Sequence, residues 1–137
     1  MMISEQTFKD TVVKIFGSGR LSKFPKGRQD RLVFIGAAAL YLTEQPSYSE
    51  AQINRKLMAW LAEMRAELVI NHVTLRRYLV DFRLVKRDRA GSCYKVDQSE
   101  LGTLFEKSIF ALDVHAMIEQ AQAEREARRQ QWLAAQT

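Results

Sequence analysis

The stretch Leu75-Arg76-Arg77-Tyr78-Leu79-Val80-Asp81-Phe82-Arg83-Leu84-Val85-Lys86-Arg87-Asp88-Arg89-Ala90-Gly91-Ser92-Cys93-Tyr94-Lys95-Val96 decides the fold. Its first part has helical spacing. Leu75, Leu79 and Phe82 fall at i, i+4 and i+7 and predict a core face, while Thr74, Arg77, Tyr78 and Asp81 lie on another side. Asn71 is placed to cap this helix, predicted over 72–82. The pattern then changes. Leu84-Val85-Lys86-Arg87 and Cys93-Tyr94-Lys95-Val96 are short β-prone runs around a turn containing Gly91, which predicts a small hairpin.

Working outward, Ser49-Glu50-Ala51-Gln52 is a capping box, with Tyr48 and Ile53 as the matching staple. It starts a helix whose buried face is Ile53, Leu57, Leu61 and Met64. Residues 29–43 are apolar on nearly every side and predict a central buried helix, broken by Gln45-Pro46-Ser47-Tyr48. Residues 4–16 form an N-terminal helix capped by Ser4, with Gly17 expected in the left-handed position at its end. Residues 18–28 read as a loop holding Arg20, Lys23, Lys26 and Arg28 without an acid, with Leu21 and Phe24 tucked against the body. From about Ser99 to Ala135 there is no proline and helix formers dominate, which predicts one long C-terminal helix with a stripe of Leu101, Leu104, Phe105, Ile109, Leu112, Met117, Ile118 and Ala121.

Helix, turn, helix and basic hairpin is the element order of a winged helix-turn-helix. The expected fold is therefore mostly α with a small β-hairpin: a winged helix-turn-helix domain over residues 1–97, with an N-terminal helix, and a C-terminal helical extension over 98–137. Charge follows the same division. Residues 1–97 hold 17 basic and 10 acidic side chains, and residues 98–137 hold 4 and 6. A basic body carrying net +7 points to a polyanionic partner, and a segment of net −2 does not.

Several classes are excluded or disfavoured. One cysteine, Cys93, rules out an intrachain disulfide, and His72 and His115 lie far apart, so no metal or other cofactor is expected. Gly17-Ser18-Gly19 follows a helix and lacks the Lys-Ser/Thr of a phosphate loop. The longest apolar run, Leu32 to Leu42, is too short to span a bilayer, which needs roughly 20 residues. The N-terminus has no signal-peptide pattern, and a cytoplasmic protein is expected. Carboxylates form no pair or triad pattern, so no enzyme activity is expected.

Leu75 to Asp81, preceded by Tyr48-Ser49-Glu50-Ala51-Gln52-Ile53-Asn54 and followed by Arg87 to Tyr94, resembles a bacterial winged-helix family of unknown function. Its members occur alone or joined to helix-turn-helix transcription regulators. Gly19 to Lys26 fits the family's opening, and the resemblance covers roughly residues 19–96. Two departures stand out. Such families place glycine where this chain has Arg83, so the helix is expected to end differently. They also carry acids where this chain has Ile70-Asn71-His72-Val73.

The expected function is binding of double-stranded DNA as a small transcription regulator, with a winged-helix protein-interaction adaptor as the alternative. The expected DNA contacts are Asn71, Thr74, Arg77 and Tyr78 on the 72–82 helix, Lys86, Arg87, Arg89 and Lys95 on the hairpin, and Lys23, Lys26 and Arg28 in the loop. Arginine can read guanine bidentately, and hairpin lysines and arginines can hold phosphates. Arg76, nearer the buried face, is expected to be structural. Trp132 and Leu133, beyond a charged stretch, point to a homodimer whose interface is Leu112, Met117, Ile118, Ala121, Trp132 and Leu133.

Overall fold

The computed structural model describes residues 2–18 and 21–136, so Arg20 of the expected basic loop lies outside the described residues. The chain is mostly helical with one two-stranded antiparallel sheet. Helices α1 (Glu5–Phe16), α2 (Arg28–Tyr41), α3 (Glu50–Glu63) and α4 (His72–Asp81) precede strands β1 (Val85–Arg87) and β2 (Tyr94–Val96), and α5 (Gln98–Leu104) and α6 (Val114–Ala135) follow. Single 3-10 segments lie at Leu42–Glu44 and Lys107–Ala111. No helix among the described residues is long and apolar enough to cross a membrane.

Helix starts follow local chemistry. Ser4, Ser49, Asn71, Asp97 and Asp113 each accept a hydrogen bond from the backbone N–H three residues on. At Ser49 the capping box is complete, since Gln52 Oε1 accepts from Ser49 N–H at 2.9 Å. Helix α2 is the centre, with Leu32 through Ala39 all buried. Around it Phe16, Phe34 and Trp60 pack edge-on or tilted, with ring centroids 5.2–6.2 Å apart. Helix α3 packs on α4, and α6 packs on α1.

Helix ends hold two departures from the sequence reading. Gly17 is right-handed, with φ −69°. The left-handed residues sit instead after α3 and α4, at Arg65 (φ 57°) and Arg83 (φ 63°). Both complete Schellman ends. Ala66 N–H reaches Leu61 carbonyl and Arg65 N–H reaches Ala62 carbonyl, and Leu84 N–H reaches Leu79 carbonyl and Arg83 N–H reaches Val80 carbonyl. The expectation that α4 would end differently without glycine is thus corrected. Burial of Leu79 and Leu84 on either side of the turn holds the backbone left-handed despite the Cβ of Arg83.

The single long C-terminal helix from Ser99 is also corrected. The backbone is extended at Phe105 (φ −125°, ψ 140°), and a 22-residue helix starts only at Val114. Ile3 N–H donates to Leu104 carbonyl at 2.7 Å and Glu106 N–H to Ile3 carbonyl at 3.0 Å. The break seats the Phe105 ring edge-on to Phe8, 5.6 Å between centroids, and directly on the α2 backbone at Gly36. A Cβ at Gly36 would lie 2.6 Å from Phe105 Cε2. Burying this ring outweighs the helix propensity of the segment, which is a weak force. Leu101, Phe105, Ile109 and Ile118 belong to the same hydrophobic core as α1 to α4.

Two stability changes of opposite sign follow. Arg83→Gly removes a left-handed side chain and raises unfolding free energy by about 1 kcal/mol. Gly36→Ala lowers it by about 1–3 kcal/mol through overpacking against Phe105, although alanine is the better helix former. Urea denaturation of each variant checks both signs.

Candidate nucleic-acid interface

Helix α4 is clamped by one of its own arginines. Arg76 Nη1 donates to Asn54 Oδ1 of α3 at 2.6 Å and lies 3.4 Å from Glu50 Oε1. Its guanidinium sits 5.5 Å from the Tyr94 ring centroid. One side chain therefore ties α3, α4 and β2 together, matching the structural role expected of it. The hairpin is fixed a second time by backbone. Tyr48 N–H donates to Tyr94 carbonyl and Tyr94 N–H to Tyr48 carbonyl, both at 2.8 Å. Both tyrosines are buried, and Tyr48 Oη donates to Leu42 carbonyl at 2.7 Å.

The hairpin pairs Val85 with Val96, Lys86 with Lys95, and Arg87 with Tyr94. Residues directly opposite share a face, so Lys86 and Lys95 place like charges side by side, an unfavourable arrangement. Lys86 Nζ lies 3.3 Å from Asp97 Oδ2, and no acid accompanies Lys95 in an ion pair among the described residues. The tip is built by Asp88, which accepts from Ser92 N–H (2.7 Å), Ser92 Oγ–H (2.6 Å) and Cys93 N–H (3.2 Å). Gly91, with φ 70°, makes the turn. Arg87, Arg76, Arg77, Asp81 and Tyr94 line a cleft of about 220 Å³ between α4 and the hairpin.

The loop before α2 reaches the same helix. Phe24 stacks on Tyr78, with centroids 5.2 Å apart and planes 6° from parallel. Arg31 guanidinium lies 5.3 Å from the Phe24 centroid, and Arg31 Nε donates to Pro25 carbonyl at 2.7 Å. The loop carrying Lys23 and Lys26 is thereby anchored against α4.

Of the expected contact residues, Arg77, Lys86, Arg87, Arg89, Lys95, Lys23, Lys26 and Arg28 are exposed, and Thr74 is half-buried. No ion pair joins Arg77 to Asp81. Three assignments change. Asn71 Oδ1 is occupied as the α4 cap, accepting from Thr74 N–H at 2.8 Å. Tyr78 is half-buried in the stack with Phe24 and positions the loop. Arg28 is the first residue of α2 and not part of the loop. The sequence reading missed Arg31, whose partners Phe24, Pro25 and Tyr78 come together only through tertiary packing.

Among the residues expected at a dimer interface, Ile118 is buried in the chain's own core. Leu112 and Met117 pack half-buried against that core, and Ala121 is half-buried. Ile118 is corrected, because it is covered within its own chain: α6 folds back on α1, and Gln122 Nε2 donates to Phe16 carbonyl at 3.1 Å. Trp132 and Leu133 remain exposed, at 61% and 39%. Among the described residues no group of three His, Cys, Asp or Glu side chains is placed to hold a metal ion.

Residues 20–96 match the family described as "Uncharacterized protein conserved in bacteria" (DUF2087). The chain belongs to this bacterial family. The matched region runs from the loop before α2 to the end of β2, so the family's shared unit contains every element of the candidate interface and leaves out α1, α5 and α6. No curated protein and no solved structure matches the chain.

Hydrogen bonds from Ser92 hold the Asp88 carboxyl below its ordinary value of 3.8. A carboxylate depressed in the folded state gives its full support above that value and loses it as pH falls through the folded value. Asp88→Ala is expected to loosen the hairpin tip at neutral pH and to abolish an acid titration of the Ser92 and Cys93 amide shifts that lies below the ordinary aspartate value. NMR titration of the parent chain and the variant checks this.

Proposed function

We propose that the chain is a winged helix-turn-helix protein that binds double-stranded DNA and acts as a small transcription regulator in the bacterial cytoplasm. The observation that carries this reading is the Tyr48–Tyr94 backbone bridge, which pairs a residue between α2 and α3 with the hairpin after α4. Helix, short strand, helix, helix and hairpin is the order of a winged helix, with α4 as the helix that enters the major groove and the hairpin as its wing. In this reading Arg77 reads base edges. Lys86, Arg87, Arg89 and Lys95, with Lys23 and Lys26 of the anchored loop, hold phosphates. A phosphate between Lys86 and Lys95 relieves their mutual repulsion.

A second reading, a protein-interaction adaptor, is favoured by the exposed apolar side chains Leu68 and Val73 before and at the start of α4. Salt separates the two, since phosphate contacts weaken steeply with salt and an apolar contact does not. In electrophoretic shift assays on a random duplex pool, Arg87→Ala with Arg89→Ala should weaken binding about equally on all sequences and lower the salt slope by roughly 1–2 units. Arg77→Ala should cost about 1–3 kcal/mol on preferred sites and relax base preference. Unchanged affinity in the double variant removes the wing from the interface.

We also propose a homodimer, carried by the outer half of α6. Beyond Gln122 this helix is exposed throughout and bears Trp132 and Leu133. Its acids, Glu119, Glu124 and Glu126, precede most of its arginines, Arg125, Arg128 and Arg129, so an antiparallel second copy sets opposite charges against each other. Sedimentation equilibrium at micromolar concentration should give the dimer mass for the full chain and the monomer mass after Trp132→Ala with Leu133→Ala. A monomer mass for the unaltered chain contradicts the proposal.

A further inference from the structure

A second cavity lies away from the basic face, where the C-terminal segment crosses α2 and α3. Its volume is about 540 Å³, within the range of small-molecule sites. Leu40, Trp60, Met64, Leu112 and Val114 give it apolar walls. Its charged lining departs from the rest of this basic chain. Glu63 and Asp113 contribute carboxylates, and no Lys or Arg is among the described lining residues.

Glu63 is the last residue of α3, where a negative side chain opposes the helix dipole. Among the described residues neither Glu63 nor Asp113 has an ion-pair partner, and Asp113 Oδ1 accepts from Ala116 N–H at 3.0 Å as the α6 cap, which leaves its second oxygen. His115, also in the lining, pairs through Nε2 with Glu119 at 2.8 Å, and its Nδ1 is shielded from solvent with no hydrogen-bond partner. In the neutral ring with Nε2–H given to Glu119, Nδ1 is an acceptor. The charged groups around the cavity are carboxylates, set in an apolar wall that contains an indole ring, and the Tyr41 hydroxyl adds one group that can donate or accept.

We propose that this cavity binds a small organic cation, an aryl- or alkylamine. Its apolar body packs on Trp60 and Leu112, and its ammonium is held by Glu63 and Asp113. The ligand would bridge α3 to the start of α6, joining the region matched by the family to the segment outside it. The proposal stands apart from the DNA reading, because its test contains no DNA.

Trp132→Phe leaves Trp60 as the sole indole, so fluorescence reports the cavity directly. Phenethylamine should saturate that signal at or below about 10 mM and bind about tenfold tighter than 2-phenylethanol, with 3-phenylpropionate weaker still. Glu63→Gln, which removes a helix-opposing charge, and Asp113→Asn, which keeps a capping side chain, should each erase most of the preference for the amine. Ala111→Phe, on the exposed rim and adding no indole, should block all three probes. Equal binding of amine, alcohol and carboxylate overturns the cation assignment. An absence of saturation, or binding unchanged in Glu63→Gln and Asp113→Asn, overturns the site. Amine affinity that falls as protein concentration rises assigns the cavity to a second copy of the chain and also overturns it.

Discussion

Two main-chain hydrogen bonds between Tyr48 and Tyr94 fix the hairpin to the helices. Without them the hairpin is two strands of three residues, too short to hold a position unaided. With them Tyr48 supplies a third line of backbone at the sheet's edge, and both rings enter the core. Arg76 then reaches from α4 to α3 and covers the Tyr94 ring. The angle between α4 and the hairpin is thus set by buried groups, while Arg77, Arg87 and Arg89 are left to solvent. A rigid frame that presents exposed cations suits the proposed polyanion partner, because mainly side-chain freedom is lost on contact.

The opposite face is organised around Phe105 on Gly36. An aromatic ring lying on helix backbone requires glycine there, and it draws residues 98–111 and the N-terminal strand residue Ile3 onto α2. Both lie outside the family-matched region, 20–96, yet they complete its core. The basic face belongs to the shared unit, and the acid-lined cavity lies at the seam between that unit and the C-terminal segment. The two proposals assign the faces different ligands: phosphate on one, a small cation on the other.

The helices were legible in the sequence because their signals are local. Ser4, Ser49 and Asn71 cap where their spacing from the first apolar residues says they should, and the α2 run is buried on every side. The hairpin was legible from its change of period, and Arg76 from its place on the flank of the apolar stripe. What was illegible depends on distant partners. The break at Phe105 is caused by Gly36 and Ile3, far away in sequence. The left-handed Arg83 is held by Leu79 and Leu84 in a core that no local propensity reveals. Tyr78 and Arg31 have roles only because Phe24 folds over them. The inner half of α6 read as an unpartnered stripe because its partner, α1, lies about a hundred residues earlier.

The most direct measurement is the map of backbone amide shifts as a short double-stranded DNA is titrated into the labelled full chain at low salt. The account predicts perturbations confined to α4, the β1–β2 hairpin and the loop at residues 21–27, with α1 and α5 unmoved. No perturbation, or perturbation centred on α6 and the 98–111 segment, would contradict it.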